Sequence, residues 1–226
     1  MSWVISILVL YLVLHLIRYL VMPICQSRSA ESRGARGEAE LSKLLKNGLH
    51  YSDYHILHDI MLPTDEDETT QVDHIVVSRF GVFVIEAKNY SGWIFGDERS
   101  RTWIKTFPGG RRYRFQNPLH QNFRHTKTME SLGVPATAVK SVIAFSRDAT
   151  FKTTMPPNVL YFDEVSDYIL SFGTPLINDR LVETIVNALL NWNRNIDPEA
   201  RKNHVANLQR RHAGRLNSGA QRDYPH

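Results

Sequence analysis

The sequence contains a single cysteine, Cys25, among its 226 residues. One cysteine forms no intrachain disulfide and no cysteine-rich zinc centre, so neither device holds this chain together. The shortage is compatible with a reducing compartment. No glycine-rich phosphate loop ending in Gly-Lys-Ser or Gly-Lys-Thr occurs, so any nucleotide-driven motor must be another chain. Internal repeats are absent. Neither sign of charge dominates: 27 Lys and Arg stand against 23 Asp and Glu, a formal net charge of +4. That mild basic bias suits a polyanionic partner or a membrane surface and identifies neither. The composition, 42% hydrophobic and 22% charged, is globular, and the length allows one domain with extensions at its ends.

Basic residues are missing from the start of the chain. No Lys or Arg precedes Arg18, and residues 3–25 read WVISILVLYLVLHLIRYLVMPIC. An apolar helix of about 20 residues rises about 30 Å, enough to cross the hydrocarbon core of a bilayer. Arg18 can snorkel to the interface, where Trp3 and Tyr19 also fit. A cleaved secretory signal is the rival reading and would make the protein secreted. It calls for a basic leading segment and a small-residue cleavage site, and the chain offers neither. Arg18, Arg28, Arg33 and Arg36 all lie on the C-terminal side, which places the N-terminus outside and the remainder in the cytoplasm.

The expected organisation is an anchor over 1–25, a polar linker over 26–33, one domain over 34–193 and a basic, flexible tail over 194–226. Leucine spacing predicts a first helix over 34–47. Residues 54–63 read as a strand ending at Pro63. Two apolar runs, VDHIVVS and VFVIEAK, flank Arg79-Phe80-Gly81 and predict a hairpin. Short strands follow over 91–116, with a turn at Pro108-Gly109-Gly110 and further turns served by Gly92 and Gly96. Asn117-Pro118 opens a helix closed by Gly133. Residues 139–146 and 158–162 read as strands and 178–193 as a helix. The fold class is α/β, with a mixed sheet flanked by helices and preceded by one transmembrane helix.

The chemistry concentrates at Asp73, Glu86 and Lys88. Side chains alternate along a strand, so Glu86 and Lys88 share a face. A fold-back near Phe80 pairs residues whose numbers sum to about 160, which brings Asp73 beside Glu86 or Lys88. The surrounding positions are apolar, and charges there are costly unless paired or bound to a metal. Asp73 and Glu86 offer hard oxygen ligands for Mg²⁺ or Mn²⁺, with the Ala87 carbonyl as a further donor. Lys88 suits orienting or deprotonating a water, or balancing charge on a phosphate. A buried ion pair between Lys88 and one carboxylate accounts for the same residues equally well. His74 should point to the opposite face.

Several segments, GARGEAELSKLL, TTQVDHIVVSRFGVFVIEAKNYSGWIFGD, the later Trp103 and FQNPLHQNFRH, together spanning roughly residues 32–146, resemble the nuclease-related domain (NERD) family of the PD-(D/E)xK nuclease superfamily. The resemblance implies a restriction-endonuclease-like fold and Mg²⁺- or Mn²⁺-dependent hydrolysis of nucleic acid, DNA ahead of RNA. It implies Asp73 and Glu86 as the metal-binding acidic pair and Lys88 as the catalytic lysine. Glu38 resembles the auxiliary acidic ligand of the first helix, and Gln121 a helix glutamine close to the site. Glu38 also suits the N-terminal turn of its helix, and Gln121 suits a packing role. Many superfamily members act as homodimers; nothing in the sequence fixes the oligomeric state.

Arg99, Arg101, Lys105, Arg111, Arg112 and Arg114 are interleaved with Trp103, Phe107, Tyr113 and Phe115, a mixture that suits phosphates and bases. A solvated hairpin explains it as well. Arg124, His125 and Lys127 extend that surface. Trp93 and Trp103 are expected in the core or at its rim. The tail carries Arg201, Lys202, Arg210, Arg211, Arg215 and Arg222 and suits nucleic acid or anionic lipid. Two functions follow: a membrane-tethered nuclease, or a non-catalytic membrane protein that binds nucleic acid or another partner through the same fold.

Overall fold

A computed structural model describes residues 11, 15, 32–63 and 69–195. Of the proposed anchor only Tyr11 and His15 are described; the linker and tail lie outside the described residues except for 32–33 and 194–195, which belong to the first and last helices. Tyr11 and His15 are helical, with ring centroids 5.5 Å apart. Among the described residues no helix is long and apolar enough to cross a membrane.

The first helix, α1, covers residues 32–48. Leu41 and Leu45, one turn apart, are fully buried, so its stripe follows the leucine spacing. Strands β1 (His55–Pro63), β2 (Thr69–Ser78) and β3 (Gly81–Lys88) form an antiparallel meander. The β2–β3 turn needs Gly81, whose φ is +149° and where a Cβ would stand 2.9 Å from the Ala138 carbonyl. Next come β4 (Gly92–Phe95), β5 (Thr102–Thr106) and β6 (Arg112–Gln116), then helix α2 (Pro118–Ser131). Strands β7 (Val139–Phe145), β8 (Ala149–Phe151) and β9 (Val159–Tyr161) precede a single 3₁₀ turn, α3 (Val165–Leu170) and α4 (Asp179–Asn195).

The strands form two sheets rather than one. The larger has the order β1-β2-β3-β7-β9, with β7 parallel to β3 and β9 parallel to β7. Helices cover both of its faces, which is why β2 and β3 are apolar almost without alternation. Val82, Val84, Ile75 and Val77 pack with Met129 of α2 and with Val182, Ile185 and Leu189 of α4. Phe83, Ile85, Val76 and Val142 pack on the other side with Leu41 and Leu45 of α1 and with Val165 and Ile169 of α3. Each such fully buried side chain contributes roughly 1.5–3 kcal/mol of apolar transfer.

The smaller sheet has the order β6-β5-β4-β8. One face closes on a third cluster containing Ile94, Trp103, Phe145 and Ala149. Trp103 is 1% exposed, and its indole lies nearly parallel to Phe145 at 6.1 Å. The indole N–H donates to the Asp97 carbonyl at 2.9 Å. Gly96 makes room for this ring, since a Cβ there would come within 2.6 Å of it.

Candidate functional site

Every β2–β3 pair from His74↔Ile85 to Ser78↔Gly81 sums to 159. One further step along that ladder sets Asp73 opposite Glu86. The Asp73 carboxylate accepts a hydrogen bond from the Ala87 N–H at 2.8 Å, which fixes its orientation at the end of the ladder. Glu86 is 3% exposed. The Lys88 ammonium donates to Glu86 Oε1 and lies 3.2 Å from Gln121 Oε1, while Gln121 Nε2 donates to the same Glu86 oxygen at 2.6 Å. The four side chains expected near one another from the sequence, Asp73, Glu86, Lys88 and Gln121, are thus brought together. The ion pair between Lys88 and Glu86 is present as well.

Gln121 is delivered by a helix pinned at two points. Asn117 caps α2 by accepting from the Leu119 N–H at 3.0 Å, and its amide donates to the carbonyls of Asp97, Glu98 and Ser100. One turn on, the fully buried Asn122 donates to the Val84 carbonyl at 2.8 Å and to Ser141 at 2.9 Å. These bonds tie α2 to β3 and β7 and aim the face carrying Gln121 at Glu86.

His125 lies four residues beyond Gln121, on that same face. It is 5% exposed, with Nε2 3.4 Å from Glu86 Oε2 and Nδ1 3.0 Å from the Thr70 hydroxyl. The expectation that His125 extends an outer basic surface is therefore corrected: the ring points inward, with Nε2 beside the second Glu86 oxygen. The i, i+4 spacing from Gln121 was the available signal. Arg124 and Lys127 are exposed as expected.

Glu38 approaches from α1. Gly37 allows this, because a Cβ at that position would collide with the Asn89 side chain just past β3. A cavity of about 580 Å³ is lined by Glu38, Asp59, Asp73 and His74 among others. Asp59 was not anticipated. Its φ of +53° interrupts the β1–β2 ladder between His58↔His74 and Ile60↔Val72, directly opposite Asp73, and Gln71 donates to its carboxylate at 2.6 Å. His74 points away from Glu86, as alternation requires, and its Nε2 lies 2.8 Å from the Ser42 hydroxyl.

The electrostatics follow from burial and crowding. Desolvation, with Glu86 nearby, holds the Asp73 carboxyl well above the usual carboxylate range. Desolvation, helped by Asp59 and Glu86, also raises Glu38. Burial alone would raise Glu86, yet Lys88 and His125 outweigh it and leave Glu86 below its ordinary value. Burial alone would lower Lys88, yet the neighbouring carboxylates leave it above the ordinary lysine range. Among the described residues, no three His, Cys, Asp or Glu side chains converge at metal-ligand spacing. The available oxygen donors are the Asp73–Glu86 pair, the Ala87 carbonyl and the more distant Glu38. Glu86 Oε2 is buried without a hydrogen-bond partner.

A family model for the nuclease-related domain matches residues 33–146. An uncharacterized protein of Bacillus anthracis is 32% identical over 185 residues, 80% of this chain and 86% of the relative. A probable kinase, PglW, of Streptomyces coelicolor is 37% identical over 62 residues, 27% of this chain and 4% of that protein. No solved structure matches. The chain belongs to the nuclease-related domain family, within the PD-(D/E)xK-like nuclease superfamily.

Proposed function

We propose that this chain is a membrane-anchored, divalent-cation-dependent nuclease that hydrolyses phosphodiester bonds of nucleic acid, DNA in preference to RNA. The observation that supports hydrolysis best is the placement of Asp73 against Glu86, with Lys88 beside them. Two carboxylates are held together in a buried place where each disfavours the other's charge. One Glu86 oxygen has no hydrogen-bond partner. A hard divalent cation such as Mg²⁺ or Mn²⁺ fits this donor set, since it relieves the repulsion and keeps waters in its remaining positions. Asp73, Glu86 and the Ala87 carbonyl would hold it, with Glu38 as an auxiliary acid. Bound there, it would supply an acidified water and stabilise charge on the phosphate.

The protein's own groups divide the remaining tasks. The Ala87 N–H and Gln121 fix the two carboxylates. Because Gln121 holds the Glu86 oxygen that Lys88 also contacts, Lys88 is free to turn toward substrate without releasing Glu86. With the carboxylates unneutralised Lys88 is a cation, suited to orienting the attacking water or balancing the phosphate rather than to removing a proton. The apolar run over 3–25 and the arginines that follow it support a single-pass anchor, with the N-terminus outside and the nuclease domain cytoplasmic.

A second reading, a non-catalytic membrane-tethered binding protein, is favoured by one observation. Glu86 Oε1, Lys88 and Gln121 form a network that closes on itself, as a structural ion pair would. Cleavage of plasmid and single-stranded DNA with Mg²⁺, Mn²⁺ or EDTA separates the two. The proposal expects metal-dependent cleavage that Asp73→Ala and Lys88→Ala abolish. Identical behaviour of wild type and variants would leave the binding reading.

A further inference from the structure

The smaller sheet has two faces of different chemistry, and its register assigns every side chain to one of them. Thr106 pairs with both Trp93 and Arg112, and Ile104 pairs with both Phe95 and Arg114. Trp93 also pairs with Thr150 of β8. One face therefore carries the row Arg112–Thr106–Trp93–Thr150 and, beside it, the row Arg114–Ile104–Phe95. The alternate positions, Ile94, Trp103, Phe115 and Phe151, turn into the aromatic core. Lys105 and Tyr113 belong to that inner side, with the Lys105 ammonium 4.3 Å from the centre of the Tyr90 ring. Arg112 and Arg114 of β6 thus face outward with Trp93 and Phe95, while Tyr113 and Phe115 between and beside them face inward.

The outer face is unusual for a solvated sheet. Trp93 is 42% exposed, and Phe95 and Ile104 are only half-buried. Arg112 and Arg114 stand exposed on the β6 edge. On the opposite edge Lys152, directly after β8, bonds through its N–H to the Ile94 carbonyl at 2.8 Å and places its ammonium 5.0 Å from the centre of the Trp93 ring. None of these three cations makes an ion pair with a described residue, and no Asp or Glu occurs on any of the four strands. An aromatic stripe between two cationic edges is complementary to a chain of flat bases on an anionic backbone. Three strand spacings of about 4.8 Å separate the edges by roughly 14 Å, a span a single strand can cross. A duplex buries its base faces and gains nothing from Trp93.

We propose that the outer face of the β6-β5-β4-β8 sheet is a platform for single-stranded nucleic acid, with bases on Trp93 and Phe95 and phosphates on Arg112, Arg114 and Lys152. The assignment rests on the nucleic-acid reading above and deepens it, because it gives the strand a docking surface outside the Asp73–Glu86 cluster.

The test is fluorescence anisotropy of the full chain in detergent micelles, in EDTA so that no cleavage intervenes. The probes are labelled oligo-dT, oligo-rU and a duplex of equal length. The expected order is single strands above duplex. Trp93→Ala should weaken single-strand binding at least about five-fold, and Trp93→Tyr should restore most of it. Arg112→Glu with Arg114→Glu should weaken binding and lower the slope of log affinity against log salt by about 1.4, two single-strand phosphate contacts. Thermal unfolding of each variant identifies any loss that comes from misfolding, and the Trp93→Tyr comparison stands independently of it. Oligonucleotide affinity indifferent to all these substitutions would overturn the platform, as would a preference for duplex unchanged by Trp93→Ala. Loss of binding to anionic vesicles alone would assign the face to a lipid surface and overturn it equally. Parallel cleavage assays keep the two ideas apart. A chain that cleaves but ignores the platform substitutions retains its nuclease reading, while one that binds through the platform and never cleaves retains the platform.

Discussion

The carboxylate of Asp73 accepts a hydrogen bond from the backbone N–H of Ala87, at 2.8 Å, across the end of the β2–β3 ladder. This bond holds a negative charge beside Glu86 in a buried place that raises the Asp73 pKa well above its usual range. The protein is stabilised by the bond and destabilised by the charge. Asparagine keeps an oxygen that can accept from Ala87 and removes the charge. Asp73→Asn is therefore expected to raise the stability of the metal-free protein by about 1 kcal/mol while abolishing cleavage. Chemical denaturation in EDTA checks this, with an increased midpoint as the expected outcome.

His125 supports the site without offering itself to substrate. Its Nε2 lies 3.4 Å from Glu86 Oε2 and its Nδ1 is anchored by Thr70 at 3.0 Å. Under the proposed function, His125→Ala should weaken Mn²⁺ binding by about 10- to 100-fold, the usual consequence of losing a group that orients a ligand. Asparagine, which keeps an N–H donor, should recover part of it. Calorimetric titration with Mn²⁺ reads this directly, and equal affinities in all three proteins would remove His125 from the account.

His74 makes stability depend on pH. Burial, with His58 nearby, lowers its pKa from 6.5 to about 4. The unfolded chain therefore binds a proton between these values that the folded chain refuses. Stability is complete above about pH 7 and is lost as pH falls from about 6.5 toward 4, by roughly 2–3 kcal/mol. Asp73 acts in the opposite sense, because a raised carboxyl pKa makes stability fall as pH rises through its own range. The comparison must therefore be between wild type and His74→Gln. Unfolding measured from pH 4 to 8 should show a steeper acid loss in wild type than in the variant.

Gly37 sets the approach of α1 to β3. A Cβ there would strike the Asn89 side chain, so Gly37→Ala should cost about 1–3 kcal/mol as the helix shifts. It should also displace Glu38 and reduce activity. The nearest atom is the Asn89 Cβ, so Gly37→Ala combined with Asn89→Gly should recover part of the stability, and a melting-temperature cycle across the two substitutions checks it.

Much of the larger sheet was legible in the sequence. The β2–β3 hairpin could be read because Phe80-Gly81 is a strong turn signal between apolar runs, and the sum of 159 lies within one residue of the expected 160. The helices 34–47 and 178–193 appear as 32–48 and Asp179–Asn195. Strand β8 and helix α3 were not read, because three and six residues are too short to show a period. The division into two sheets was hidden as well. It depends on β8 pairing in parallel with β4, a contact between residues more than fifty positions apart. At the site, Asp73, Glu86 and Lys88 were readable because charges in apolar strands stand out. Thr70 and Asn122 were not, since polar residues of ordinary type announce nothing until a partner faces them. Asp59 was missed because a left-handed residue within a strand leaves no mark in composition.

The central claim is that Asp73, Glu86 and Lys88 hydrolyse phosphodiester bonds. Single-turnover cleavage of end-labelled DNA by the purified full chain, with Mg²⁺ or Mn²⁺, tests it most directly when wild type is set beside Asp73→Asn. The account predicts cleavage by wild type that EDTA stops, and none above background by a variant at least as stable as wild type. Cleavage by Asp73→Asn at the wild-type rate, or cleavage undiminished by EDTA, would contradict it.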